Sequence, residues 1–177
     1  MTAWVLPTRS ATARFGEALG RRLRGGETLA LIGDLGAGKT TLAQAIARGL
    51  GISSYVSSPT FGLIHEYPGR IPLFHFDPYR LDRAEDLGEL GFLEFFERGG
   101  VVLVEWADKV EGLLPPERLT LRLEIEWELS QAEIEDEAPR RMEAEARGAA
   151  CTALLLELAK AAELKDLLAA RPGDQET

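Results

Sequence analysis

Residues 33–41 read Gly-Asp-Leu-Gly-Ala-Gly-Lys-Thr-Thr (GDLGAGKTT), and their neighbours on both sides make the reading specific. Gly33, Gly38, Lys39 and Thr40 fit the spacing G-x-x-x-x-G-K-[ST]. The stretch before them, 27–32 (ETLALI), is a short apolar run that reads as a strand; the stretch after, from Lys39 to Leu50, reads as a helix stopped by Gly51. In a strand, glycine-rich turn and helix, the backbone N–H groups of residues 36–41 converge on a phosphate, and the glycines permit the close approach this needs. The positive end of the helix adds to the attraction. The pattern predicts a phosphate-binding set of Asp34, Gly36, Ala37, Gly38, Lys39, Thr40 and Thr41. Lys39 is expected to bridge the β- and γ-phosphates of a nucleotide, and the Thr40 hydroxyl to bind Mg²⁺.

Outward from this loop, elements alternate as helices packed on a mostly parallel sheet do. A short apolar stretch, 3–6, ends at Pro7. Ser10 is placed to cap a helix over about 11–24, with Ala11, Phe15, Ala18, Leu19 and Leu23 at helical spacing. Short strands are expected near 55–56, 62–67 and 71–77, the last two joined by the turn signal Pro68-Gly69. An acidic helical segment, 83–98, is interrupted at Gly88 and Gly91. Residues 101–106 (VVLVEW) read as a buried parallel strand. From 119 to 129 apolar and polar residues alternate, which marks a strand with one wet face. Residues 130–139 are polar and turn-like. A strand over 140–147 is expected to pair back on 119–129, and a helix to run over 149–170. The fold class is therefore α/β, a P-loop NTPase fold with a mostly parallel central sheet, flanking helices and antiparallel strands at one edge. Residues 1–170 are expected to form one domain and 171–177 a disordered tail.

Charge and composition bound the function. The chain has 177 residues, 20 Lys+Arg and 29 Asp+Glu, and a net charge of −9, which argues against a general nucleic-acid coat protein. Residues 1–83 carry +4, residues 84–145 carry −12, and the remainder −1, so the phosphate loop lies in the basic part. One cysteine, Cys151, and two histidines make a poor zinc site. There is no apolar stretch long enough for a membrane span and no signal-like N-terminus; the expectation is a cytoplasmic protein without membrane contact.

Mg²⁺ needs further oxygen ligands, supplied in such folds from the carboxyl ends of neighbouring strands. Two acids follow apolar runs: Asp77 after 71–76 (IPLFHF) and Glu105 after 101–104 (VVLV). Both are candidate catalytic residues and candidate metal ligands with Thr40, and which one binds the metal or polarises water is left open; the longer arm of Glu105 favours it for the water. Thr60, in the proline-bounded stretch 57–61 (SSPTF), is the fourth candidate ligand, on a loop that could respond to a γ-phosphate as GTPase switches do. Arg80 reads as an ion-pair partner of the acidic segment, His65 and His75 as structural histidines. No N/T-K-x-D sequence for reading guanine is present, so ATP is favoured over GTP. The region 8–12 is a guess for the adenine side.

With these residues in place, the chain resembles the TsaE (YjeE) family. The resemblance rests on an ordered set: GDLGAGKTT (33–41), SPTF (58–61), HFDPYRL (75–81), ELG (89–91) and VEW (104–106), with RRMEAEARG (140–148) less specific. It implies a slow P-loop ATPase, with ATP and Mg²⁺, required for threonylcarbamoyladenosine at position 37 of tRNAs. It also implies action beside the TsaB–TsaD pair, which the nucleotide cycle resets, with tRNA touched only indirectly. The family's functional positions fall here on Lys39, Thr40, Thr60, Asp77 and Glu105, and Trp106 would report nucleotide binding by fluorescence. Without the resemblance, a small-molecule kinase or a nucleotide-gated binding module would use the same loop. Self-association is left open.

Overall fold

The computed structural model describes residues 2–59, 62–81, 83–89, 91–126 and 138–169. Seven strands form one sheet: β1 (Thr2–Leu6), β2 (Thr28–Ile32), β3 (Ile64–Tyr67), β4 (Leu73–Phe76), β5 (Val101–Glu105), β6 (Arg118–Ile125) and β7 (Arg140–Arg147), in the order β1-β7-β6-β2-β5-β4-β3. The centre, β6-β2-β5-β4, is parallel. The expected antiparallel edge is β6-β7-β1, and a second antiparallel pair, β4-β3, closes the other side. Among the described residues the α-helices are α1 (Arg9–Arg22), α2 (Lys39–Gly49), α3 (Ala84–Glu89) and α4 (Ala149–Lys160).

Strand periodicity sorts the core into two layers. Leu29, Leu31, Leu73, Val101, Leu103, Leu119 and Leu121 face one side with the apolar residues of α1, α2 and α4. Ala30, Phe74, Phe76, Val102 and Val104 face the other, against Leu87, Phe92, Val110 and Leu114. Strands β4 and β5 are buried along their whole lengths, as parallel strands covered on both faces must be. β6 instead alternates, leaving Arg122 and Glu124 exposed between buried leucines.

Several boundaries differ from those read in the sequence. Thr8, not Ser10, caps α1, its hydroxyl accepting from Ala11 N at 3.1 Å, because the helix starts two residues earlier. No strand forms at 55–56: Val56 is buried and its carbonyl accepts from the Gln44 amide of α2 at 2.9 Å, a side-chain bond replacing a ladder bond. The glycine interruption in 83–98 does divide it, into α3 and a 3₁₀ helix over Phe92–Glu97, with Gly91 left-handed between them. The last helix breaks at Ala161, and a 3₁₀ helix, Ala162–Leu167, follows. Residues 127–137, expected as strand end and turn, residue 170, expected to end the last helix, and 171–177, expected as a disordered tail, lie outside the described residues.

α1 and α2 run side by side in the same direction. A Cβ on Gly20 would sit 2.2 Å from Ile46 O and 2.8 Å from Gly49 Cα, so only glycine allows this approach. Gly16 lies against Leu42 and Ala45, and Arg48 bonds Glu17 at 2.9 Å, which fixes the shared direction. Both N-termini consequently reach the same end of the sheet, the carboxyl end of β2, β4 and β5.

Candidate functional site

At that end the chain leaves β2 through Gly33 and enters α2 through Gly38, whose φ of 100° is left-handed and suits a residue without a Cβ. Helical bonding starts with Leu42 N to Gly38 O at 2.9 Å, so the N–H groups of Lys39, Thr40 and Thr41 have no carbonyl within the helix and are available to an anion. Ala37 behaves differently. Its N–H donates to Asp34 O at 3.2 Å and its methyl is buried in the core, so it braces the loop from below. Asp34 is exposed, and its carbonyl holds the lysine.

The Lys39 ammonium donates to Gly33 O at 2.7 Å and Asp34 O at 2.8 Å, and lies 3.6 Å from the centre of the Trp106 ring. Burial pulls its pKa below the ordinary lysine value, while the nearby carboxylates Glu105, Asp77, Asp108 and Asp34 pull it back. Trp106 follows β5 with a φ of 52°, a strained conformation for a non-glycine residue that folds its ring back over the loop. Tyr79 lies beside that ring, at 4.8 Å between centres. Lys109 in turn holds the Tyr79 carbonyl.

Both acids expected from the strand ends are here. Glu105 is 2% exposed and Asp77 3%. Glu105 Oε2 accepts from Thr40 Oγ1 at 2.9 Å, joining the phosphate loop to the end of β5. Asp77 accepts from the Ser58 hydroxyl and, through Oδ1, from Tyr79 N at 3.1 Å. Thr60 lies outside the described residues; Ser58, two positions before it in the sequence, donates its hydroxyl to Asp77.

These groups surround a cavity of about 360 Å³, lined by Gly36, Gly38, Lys39, Thr40 and Thr41 of the loop and by Ser58, Asp77, Tyr79, Glu105 and Trp106. Leu35 of the loop, Arg9 and Thr12 from the first turn of α1, and Arg140 from the start of β7 also line it. The region 8–12 thus reaches the cavity. Its helix N-terminus and that of α2 both aim positive potential at it. Oxygen donors at Thr40, Ser58, Asp77 and Glu105 suit a hard divalent cation, and an ammonium, free N–H groups and two helix ends suit a phosphate chain.

Three wall residues were not singled out from the sequence. Arg140 is 7% exposed and donates to Gly36 O at 3.1 Å, so a strand more than 100 positions away steadies the loop. A cation in a buried strand position was the available signal. Ser58 and Tyr79 carried none beyond standing next to expected residues. His75, read as structural, is 0% exposed but touches the site: its Nε2 lies 2.9 Å from Glu105 Oε1. His65 does not line the cavity, and its Nδ1 lies 3.1 Å from the Tyr67 hydroxyl.

Known proteins resemble this chain in sequence and in fold. A family model described as "Threonylcarbamoyl adenosine biosynthesis protein TsaE" matches residues 6–135. A relative from Bacillus subtilis, named tRNA threonylcarbamoyladenosine biosynthesis protein TsaE, is 53% identical over 98 residues, covering 54% of this chain and 60% of its own length. A relative of the same name from Treponema pallidum is 42% identical over 120 residues, covering 67% of this chain and 89% of its own length. The crystal structure of Bacillus subtilis YdiB superposes with a TM-score of 0.72 at 34% identity, covering 89% of this chain and 93% of that one.

Proposed function

The chain belongs to the TsaE family of threonylcarbamoyl adenosine biosynthesis proteins, and we propose that it works there as a Mg²⁺-dependent ATPase. In this reading it binds ATP in the phosphate-loop cavity and hydrolyses it slowly. The cycle resets a TsaB–TsaD complex that forms the threonylcarbamoyl group on adenosine 37 of tRNA. The observation that carries the reading is the convergence of Lys39, Thr40, Asp77 and Glu105 on one cavity beneath two helix N-termini.

Each residue then has a role its position supports. The free N–H groups of Lys39, Thr40 and Thr41 and the Lys39 ammonium hold the phosphates, the ammonium already fixed near them by Gly33 O and Asp34 O. Thr40 Oγ1, Asp77 and Glu105 offer the oxygens for Mg²⁺, which when bound neutralises charge on the phosphate oxygens. Glu105, held at both carboxylate oxygens, is the better group to accept a proton from water, because its direction is fixed before the nucleotide arrives. Asp77, tied to Ser58, transmits the state of the site to residues 57–59, and these present a changed surface to the partner. ATP rather than GTP follows from the absent guanine-reading sequence, since residues 107–110 read Ala-Asp-Lys-Val. The acidic middle of the chain favours contact with the partner proteins over direct contact with tRNA. Among the described residues no helix is long and apolar enough to cross a membrane; a cytoplasmic location is part of the proposal.

The test is ATP turnover measured with and without TsaB–TsaD, with a tRNA modification assay alongside. Stimulation by the pair, and loss of modification when this protein is omitted, are expected; equal turnover in both conditions removes the coupling. Glu105→Ala is expected to bind ATP yet turn over about a hundredfold more slowly. Full turnover in that variant shifts the water-activating role away from Glu105.

A further inference from the structure

His75 stands behind the site, out of contact with the cavity, and its surroundings do not explain a histidine. It lies in the middle of β4, paired in register with Leu103 of β5 on one side and His65 of β3 on the other. The strand is buried throughout and its neighbours in sequence are Phe74 and Phe76. Leucine or phenylalanine would fill such a position and leave no polar atom to satisfy. His75 instead buries a ring whose Nδ1 has no hydrogen-bond partner among the described residues. Among the described residues the ring's one polar contact is Nε2 to Glu105 Oε1 at 2.9 Å.

That contact bears on the direction of the Glu105 carboxylate. The terminal torsion of a glutamate is broad, so the group would otherwise turn freely within its pocket. Here Oε1 is held inward by the ring while Oε2 faces Thr40 Oγ1. Because a carboxylate only accepts, the ring must donate from Nε2. β4 and β5 are adjacent parallel strands, and the register that pairs His75 with Leu103 puts Glu105, two residues on, on the same face of the sheet.

We propose that His75 is a positioning residue: its Nε2–H locks the Glu105 carboxylate in the orientation that presents Oε2 to the cavity. The proposal rests on the reading of Glu105 as the water-polarising group. A partner of this kind, acting through a residue at the site, changes function by about ten- to a hundredfold when removed in comparable settings. His75→Leu removes the donor and keeps apolar volume. His75→Gln restores an N–H near the position of Nε2.

Two measurements test it. In the nucleotide-free protein, nitrogen NMR of the histidine rings is expected to show His75 protonated at Nε2, with a slowly exchanging proton that disappears in Glu105→Ala. A ring protonated at Nδ1 alone, or a signal indifferent to Glu105→Ala, overturns the proposal. In Mg²⁺-ATP turnover, His75→Leu is expected to lower kcat about tenfold or more with KM within about twofold, and His75→Gln to recover kcat to within about threefold of the wild type. Wild-type kcat in His75→Leu, a loss that His75→Gln does not recover, or a raised KM at constant kcat each count against positioning. If His75→Leu does not fold, the NMR experiment on the wild-type ring decides alone. If the wild-type protein turns over no ATP even with its partners, the ATPase reading falls, while the NMR result still decides whether the ring holds Glu105.

Discussion

Two ends of one sheet are built on different terms. On the flank formed by β1, α1 and α4, Trp4, Leu6, Phe15 and Leu19 are fully buried, Trp4 meeting Phe15 edge-on at 5.0 Å. Charged groups there stay at the surface: Arg14 pairs with Asp166 at 2.5 Å and Arg22 with Glu163 at 2.9 Å, joining α1 to the last 3₁₀ helix. At the carboxyl ends of β2, β4 and β5 the arrangement inverts, and Lys39, His75, Asp77 and Glu105 are the buried groups. Burying charge costs stability unless each group finds a partner. Here the partners are one another or the loop backbone: Thr40 and His75 for Glu105, Ser58 for Asp77, two carbonyls for Lys39. The flank holds the fold together, and the cavity end draws on that stability to keep polar groups fixed and dry.

The contrast predicts that the two ends separate under mutation. The largest effect belongs to the flank. Phe15→Ala is expected to lower unfolding free energy by about 3–5 kcal/mol in denaturant titration, while the folded fraction binds nucleotide normally. At the cavity end, Thr40→Ala is expected to leave stability within about 1–2 kcal/mol of the wild type but weaken Mg²⁺-dependent ATP binding about tenfold in calorimetry, with less effect when Mg²⁺ is absent. The smallest effect concerns the surface pairs. The hydrogen bond from Arg14 holds the Asp166 carboxyl below its ordinary pKa. For Glu163 a backbone hydrogen bond comes first and Arg22 second, again lowering it. A depressed folded pKa means the contribution is present above the ordinary carboxylate range and lost as pH falls through the lower folded value. Hydrogen exchange at 162–167, corrected for intrinsic rates, is therefore expected to quicken slightly in acid below that range. The exposure of both pairs keeps the effect small.

The flank and the cavity also differ in how far they could be read in advance. The strand, loop and helix around 33–41 were readable because glycines and the lysine are tied to local backbone geometry. Asp77 and Glu105 were readable as acids ending apolar strands, and both lie at the cavity. The pairing of β7 on β6 was expected from the period of two over 119–129 and the strand read over 140–147. Other features depend on distant chain. Arg140 reaches Gly36, and His75 reaches Glu105, only because sheet order brings their strands beside the loop. The cap at Thr8 in place of Ser10, two residues on, shows how a helix start is set only when the backbone turns. Gly16, Gly20 and Gly49 looked like ordinary helical residues, and their purpose appears only when α1 lies against α2.

The central claim is that the cavity is an ATP site held by the phosphate loop, and its most direct test is calorimetric titration of ATP with Mg²⁺ into the wild-type protein and Lys39→Ala. The account predicts saturable one-to-one binding by the wild type and a loss of about a hundredfold or more in Lys39→Ala, with both proteins melting at similar temperatures. Equal affinity in the two proteins, or no binding by a folded wild type, would contradict it.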